Sequence, residues 1–226
     1  MVVNPHILLV GEIGYLEPLL LLLSNAGAKI LNSDEILLQE DGKTPLLPAM
    51  TNLIECAYNS MGHIDTLLFC DRVRTDETEC PDAGEIVRQT LDSVSRLLVS
   101  VRCLALKMIE SESPGQIIIV CDTSAVAGRH NCLISSTVGG ALIGMSKSLA
   151  KELGRYRIAV NIICLGVMEE IDPQNEYTPA EAMMLKVSGL GKIGSLKHLA
   201  NNIMHLAGNE HWLNGQILHI NDGLVM

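Results

Sequence analysis

Apolar runs of two kinds alternate along the chain, short ones rich in Ile, Val and Leu and longer ones with helical spacing. His6-Ile7-Leu8-Leu9-Val10 predicts a buried strand ending at Gly11, and residues 15–26 predict a helix that Gly27 stops. Residues 28–31 predict a second strand, closed by the polar trio Asn32-Ser33-Asp34, and residues 36–38 a third, very short one. A helix over 45–61 stopped by Gly62, a strand over 64–70 and a charged loop over 71–82 follow. Residues 84–112 then predict a long helix, with Ile86, Val87, Leu91, Val94, Leu97, Leu98, Val101, Leu104 and Met108 as its apolar positions. The strongest strand signal is Q-I-I-I-V-C over 116–121, followed by a long helix over 132–154 and a strand over 158–164. Helices over 180–187 and 196–207 and a closing strand over 216–220 complete the pattern. Aliphatic strands alternating with helices predict a parallel sheet covered on both faces. The fold class is therefore α/β, doubly wound and Rossmann-like. With 226 residues and no linker or repeat, a single domain over 1–226 is expected.

Composition narrows the partners. Hydrophobic residues make up 48% of the chain but aromatics only 3%, so the core must be aliphatic, with ten Met among its fillers. A formal net charge of −10 argues against nucleic acid or an anionic membrane as partner, since both reward Lys and Arg. The run Leu19 to Leu23 is far too short to span a bilayer, and Met1 to Pro5, short and without a basic region, is not expected to act as a leader. Seven cysteines (Cys56, Cys70, Cys80, Cys103, Cys121, Cys132, Cys164) form no C-x-x-C pair, which fits thiols in a reducing cytoplasm. No metal site is expected, because ligands do not cluster in the sequence. His198 and His205 share a helix face seven residues apart, but no third ligand accompanies them. A Ser–His–Asp hydrolase is not indicated either, for lack of a G-x-S-x-G elbow.

Five segments, in order, resemble the short-chain dehydrogenase/reductase family. I-L-L-V-G-E-I-G (7–14) resembles its T-G-x-x-x-G-x-G start, and G-H-I-D-T-L-L-F-C-D (62–71) resembles its G-x-I-D-x-L-V-N-N-A-G strand. I-I-I-V-C-D-T-S-A-V-A-G (117–128) is similar to the family's I-V-N-I-S-S-V-A-G strand. L-I-G-M-S-K-S-L-A-K-E-L-G (142–154), with R-I-A-V-N-I-I-C-L-G (157–166), resembles the helix and strand ending in I-R-V-N-x-I-x-P-G. The tail L-N-G-Q-I-L-H-I-N-D-G (213–223) resembles T-G-Q-x-x-x-V-D-G-G.

The resemblance implies hydride transfer between a nicotinamide and a carbonyl carbon. A Tyr exchanges the hydroxyl proton, a Lys four residues later lowers its pKa, and a Ser orients the substrate oxygen. Here the Tyr position falls on Ser135 and the Lys position on Gly139, neither of which can serve. Tyr15, Tyr58, Tyr156 and Tyr177 are followed four residues on by Leu19, Gly62, Val160 and Glu181, so Y-x-x-x-K is absent. Ser124 stands near the orienting Ser, ahead of a shortened loop, or is simply a polar residue at a strand end. In place of N-N-A-G the chain has Phe69-Cys70-Asp71-Arg72, expected to put a ring and charges where the cofactor would lie.

Cofactor binding is expected to be vestigial. Gly11 and Gly14 remain of the pyrophosphate turn, yet the last glycine position is Leu16 and Glu12 adds negative charge. Asp34, twenty residues after Gly14 (34 − 14), stands where an acid grips the adenosine ribose, though Asp also ends ordinary strands. The usual second helix has no room between Asp34 and residue 36.

The resemblance thus implies a non-catalytic subunit of a hetero-oligomeric NAD-dependent alcohol or hydroxyacyl-CoA dehydrogenase. NAD would be bound by an intact paralogue, in a heterotetramer built through helices 84–112 and 132–154. Val94, Leu97, Leu98 and Val101 on one helix, and Ala141, Leu142, Met145 and Leu149 on the other, would divide between the chain's own sheet and that partner. The alternatives are a small-molecule sensor using the degenerate pocket and a divergent active oxidoreductase.

Overall fold

Six parallel strands lie in the order β2-β1-β3-β4-β5-β6, so the strand order reverses between β1 and β3. The computed structural model describes residues 4–11, 16–33, 45–70, 82–168, 186, 189–191, 193–208 and 212–224. In chain order the elements are β1 (His6–Val10), α1 (Leu16–Asn25), β2 (Lys29–Asn32), α2 (Leu46–Met61) and β3 (Thr66–Cys70). They continue with α3 (Ala83–Glu110), β4 (Gly115–Asp122), α4 (Ser124–Ala127), α5 (Leu133–Leu153), β5 (Ile158–Leu165), α6 (Leu196–Ala207) and β6 (Ile217–Ile220). The expected strand over 36–38 lies outside the described residues, as does the expected helix over 180–187 apart from Lys186.

The central strands are buried on both faces, which is why they read as unbroken apolar runs. Alternation along β4 sends Ile117, Ile119 and Cys121 to one core and Ile118 and Val120 to the other. The first core packs under α2, α3 and α5, the second under α1 and α6. Gly27 and Gly62 end α1 and α2 with φ of +99° and +82°, conformations that a side chain would strain. At its other end α3 is capped by Asp82, whose carboxylate accepts the Gly84 N–H at 3.1 Å.

The two long helices α3 and α5 pack against each other on the sheet. On α3, Leu97, Val101 and Leu104 face inward, while Val87, Leu91 and Leu98 face outward, with Leu91 60% exposed. Among the α5 residues, Leu142 is buried, Ala141, Met145 and Leu149 are half-buried, and Leu133 is exposed. Gly140 and Gly144 have open space where a Cβ would be. The apolar positions therefore divide between the core and the outer surface. Among the described residues no helix is long and apolar enough to cross a membrane.

Candidate functional site

In doubly wound sheets, ligands lie beyond the C-terminal strand ends, near the point where strand order reverses. Here that point is the end of β1 against the end of β3. Gly11, just past β1, has φ +130°, and a Cβ there would lie 1.9 Å from the Cys70 carbonyl oxygen. The contact with β3 by itself requires glycine, whatever else the turn once held. Gly14 and Asp34 lie outside the described residues, as do Glu12, Asp71 and Arg72; Asn32 and Ser33, just before Asp34, are buried.

The structure corrects one expectation at this edge. Phe69 does not reach the cleft: it sits within β3 at 1% exposure, with its ring in the core under α2 and α3. Its place follows from strand alternation, because Val10 and Ile119 flank it in register and both faces of β3 are covered.

The end of β4 holds the groups nearest to the family's chemistry. Ser124 is buried, its N–H donates to Asp122 Oδ1 at 2.7 Å, and its hydroxyl has no hydrogen-bond partner among the described residues. Arg129 lies 3.9 Å from the Asp122 carboxylate and donates from Nε to Cys132 Sγ at 3.0 Å. Asn221 Nδ2 donates to Thr123 Oγ1 at 3.2 Å, and Gly166 N–H donates to the Ile220 carbonyl. Together these bonds join the ends of β4, β5 and β6.

The decisive contact is between α4 and α5. A Cβ on Gly139 would lie 2.4 Å from the Ala125 Cβ and 3.3 Å from its Cα. A backbone atom and a methyl cannot swing aside as the tip of a flexible side chain can, so a lysine at this position would have to displace α4. Ser135, one helical turn earlier on the same face, is buried too. The lysine position is thus crowded by Ala125 as well as changed in chemistry, and the tyrosine position carries a buried serine. The described residues accordingly do not fit the proton-transfer half of a nicotinamide site.

Two further features went unread in the sequence. Cys121 and Cys164 face each other in register on β4 and β5, with sulfurs 3.6 Å apart. The Cys121 hydrogen bond holds the Cys164 thiol below its ordinary range, outweighing burial and the Asp122 charge, which act the other way. On the α6 side, Val167, His198, Asn202, His219 and Asp222 help line a cavity of about 680 Å³. His198 is committed within α6's first turn, where its Nδ1 accepts the Ser195 N–H at 3.0 Å.

Comparison with known proteins accords with this architecture. Residues 49–225 match the family model described as "Enoyl-(Acyl carrier protein) reductase". The 3-oxoacyl-[acyl-carrier-protein] reductase FabG of Escherichia coli K12 is 28% identical over 144 residues, covering 63% of this chain and 57% of the relative. Carbonyl reductase family member 4 of Xenopus tropicalis is 28% identical over 170 residues, covering 74% and 69%. The chain spans less than two thirds of the first curated relatives it matches. Among solved structures, a short chain dehydrogenase from Bacillus anthracis superposes with a TM-score of 0.74 at 20% identity, covering 97% of this chain and 96% of that one. On the strength of the family model, and of a sheet order and strand-end geometry that agree with it, this chain belongs to the short-chain dehydrogenase/reductase family.

Proposed function

We propose that the chain is a non-catalytic subunit of a hetero-oligomeric short-chain dehydrogenase, supporting a paralogue that binds NAD and oxidises a CH–OH group or reduces the matching carbonyl. The observation that carries this reading is the Ala125 methyl in the space of the family lysine, with serine in place of the tyrosine one turn before. Hydride transfer leaves an alkoxide that must gain a proton, and a buried serine hydroxyl is far too weak an acid to supply it. The outward apolar residues Val87, Leu91 and Leu98 on α3, beside the open small-residue face of α5, support helix-to-helix assembly with the paralogue. The substrate class we favour is a hydroxyacyl thioester. The pattern of losses resembles that of the inactive subunit of the heterotetrameric 2-[hydroxy(phenyl)methyl]-succinyl-CoA dehydrogenase of anaerobic toluene degradation.

Gentle purification from the native source, native mass measurement and sequencing of whatever accompanies the chain test the reading. The expected result is a stoichiometric partner with an intact T-G-x-x-x-G-x-G and Y-x-x-x-K. A homo-oligomer that lacks such a partner, or hydride transfer by this chain alone, would sink it. A second reading, a small-molecule sensor, draws on the cavity beside α6, and it predicts ligand binding by the isolated chain with no need of a paralogue.

A further inference from the structure

At the opposite edge of the sheet, the fold gathers three side chains that the sequence keeps apart. His6 opens β1, while His63 and Asp65 lie in the turn that leads from α2 into β3. Because β1 and β3 are parallel neighbours, with Ile7 opposite Thr66, the start of one strand meets the approach to the other. Asp65 is fixed by the backbone: its Oδ2 accepts the His6 N–H at 2.8 Å, and its own N–H donates to the His6 carbonyl at 3.0 Å. His63 Nε2 stands 3.5 Å from the same Oδ2. The two imidazole rings lie 4.0 Å apart, centroid to centroid. One ring nitrogen from each histidine and one Asp65 oxygen all fall within 4.8 Å of one another. Ligands that stand far apart in the sequence are thus brought together by the fold.

We propose that His6, His63 and Asp65 form a binding site for a divalent first-row transition ion of the zinc class. Two imidazoles and one carboxylate are the donor set such ions prefer, whereas calcium and magnesium seek oxygen alone. Metal–ligand bonds of about 2.0–2.1 Å in a tetrahedron set neighbouring donor atoms about 3.3 Å apart. The His63–Asp65 separation of 3.5 Å is already close to that spacing. His6 supplies the outer-shell feature of such sites: its Nδ1 lies 3.2 Å from the His63 carbonyl, and in the tautomer that donates there Nε2 carries the lone pair. His6 and Asp65 are held by the fold, while the His63 side chain is 59% exposed, leaving an open side for entry and for water ligands. The site lies at the N-terminal edge of the sheet, away from the strand ends where the family works. Its ion ties β1 to the α2–β3 turn and takes no part in hydride transfer.

The test uses the full chain, stripped with a chelator, kept reduced with a phosphine, and titrated with Co²⁺ followed by displacement with Zn²⁺. The expected outcome is one ion per chain, with visible d–d bands and no thiolate charge-transfer band, and a rise in unfolding temperature on adding Zn²⁺. His63→Ala removes an exposed side chain, so the ion-free variant should unfold as wild type does while its affinity falls by about tenfold or more. Asp65→Asn keeps an oxygen for the His6 N–H and should also weaken binding. A thiolate band, affinity unchanged in both variants, or no binding up to millimolar Co²⁺ would overturn the proposal, leaving a plain His63–Asp65 contact.

Discussion

Alanine in place of glycine inside a helix ordinarily stabilises by about 1 kcal/mol, yet at position 139 the added methyl meets Ala125 at 2.4 Å. Forced overpacking costs about 1–3 kcal/mol, so Gly139→Ala should gain nothing or lose stability in the native background. With Ala125→Gly in place the helix gain should return, giving a coupling of about 1–3 kcal/mol in a double-mutant cycle read by denaturant unfolding. By the same geometry, Ser135→Tyr with Gly139→Lys should not create NADH-linked turnover, which absorbance at the nicotinamide band would reveal at once. Measurable turnover in that variant would mean that α4 moves aside more easily than its packing implies. The thiols offer a separate check. Cys56 is exposed whereas Cys70, Cys121, Cys132 and Cys164 are buried, so alkylation of the native chain should label Cys56 and spare those four. Modification of Cys70, Cys121 or Cys164 before unfolding, located by peptide mass, would contradict the strand assignments.

Along α3, adjacent residues make opposite predictions. Leu97→Ala removes a side chain with no exposed surface and should cost about 2–5 kcal/mol. Leu98→Asp alters an outward position and should leave the stability of the isolated chain within about 0.5 kcal/mol, while abolishing assembly with the proposed paralogue by native mass. Equal destabilisation by both substitutions would place Leu98 in the chain's own core. These elements were legible because their signals are local: β4 announces itself by consecutive Ile and Val, and α2 by the glycine that stops it. Boundaries moved only slightly, as at α3, which ends at Glu110 before Glu112 turns the chain with φ +52°. What stayed illegible depends on contacts between distant residues. Ala125 lies fourteen residues before Gly139 (139 − 125), and His6 lies 57 residues before His63 (63 − 6). Composition gave no hint that either pair would touch. The place of Phe69 is illegible for a related reason, since a motif fixes a position in the chain but not the face of the strand on which it falls.

For the whole molecule, the proposal that a paralogue completes the assembly has a thermodynamic corollary. A partner that binds only the folded chain stabilises it by mass action. The unfolding temperature of the chain should therefore climb when the paralogue is added and should depend on total protein concentration; a midpoint indifferent to both would speak against association. The surface charge suits this arrangement, since a net charge of −10 discourages non-specific nucleic-acid contacts and leaves apolar helix faces to select the partner. On the proposed non-catalytic reading, the contact between Ala125 and Gly139 also makes a loss of chemistry hard to reverse. One codon change that restored a lysine at 139 would drive its stem into α4 before any catalytic benefit existed, and one that restored a tyrosine at 135 would still lack its lysine. Recovery needs several changes at once, each harmful or idle when alone. On that proposal the fold works as a ratchet, and descendants of this chain would be selected as scaffolds rather than drift back toward catalysis.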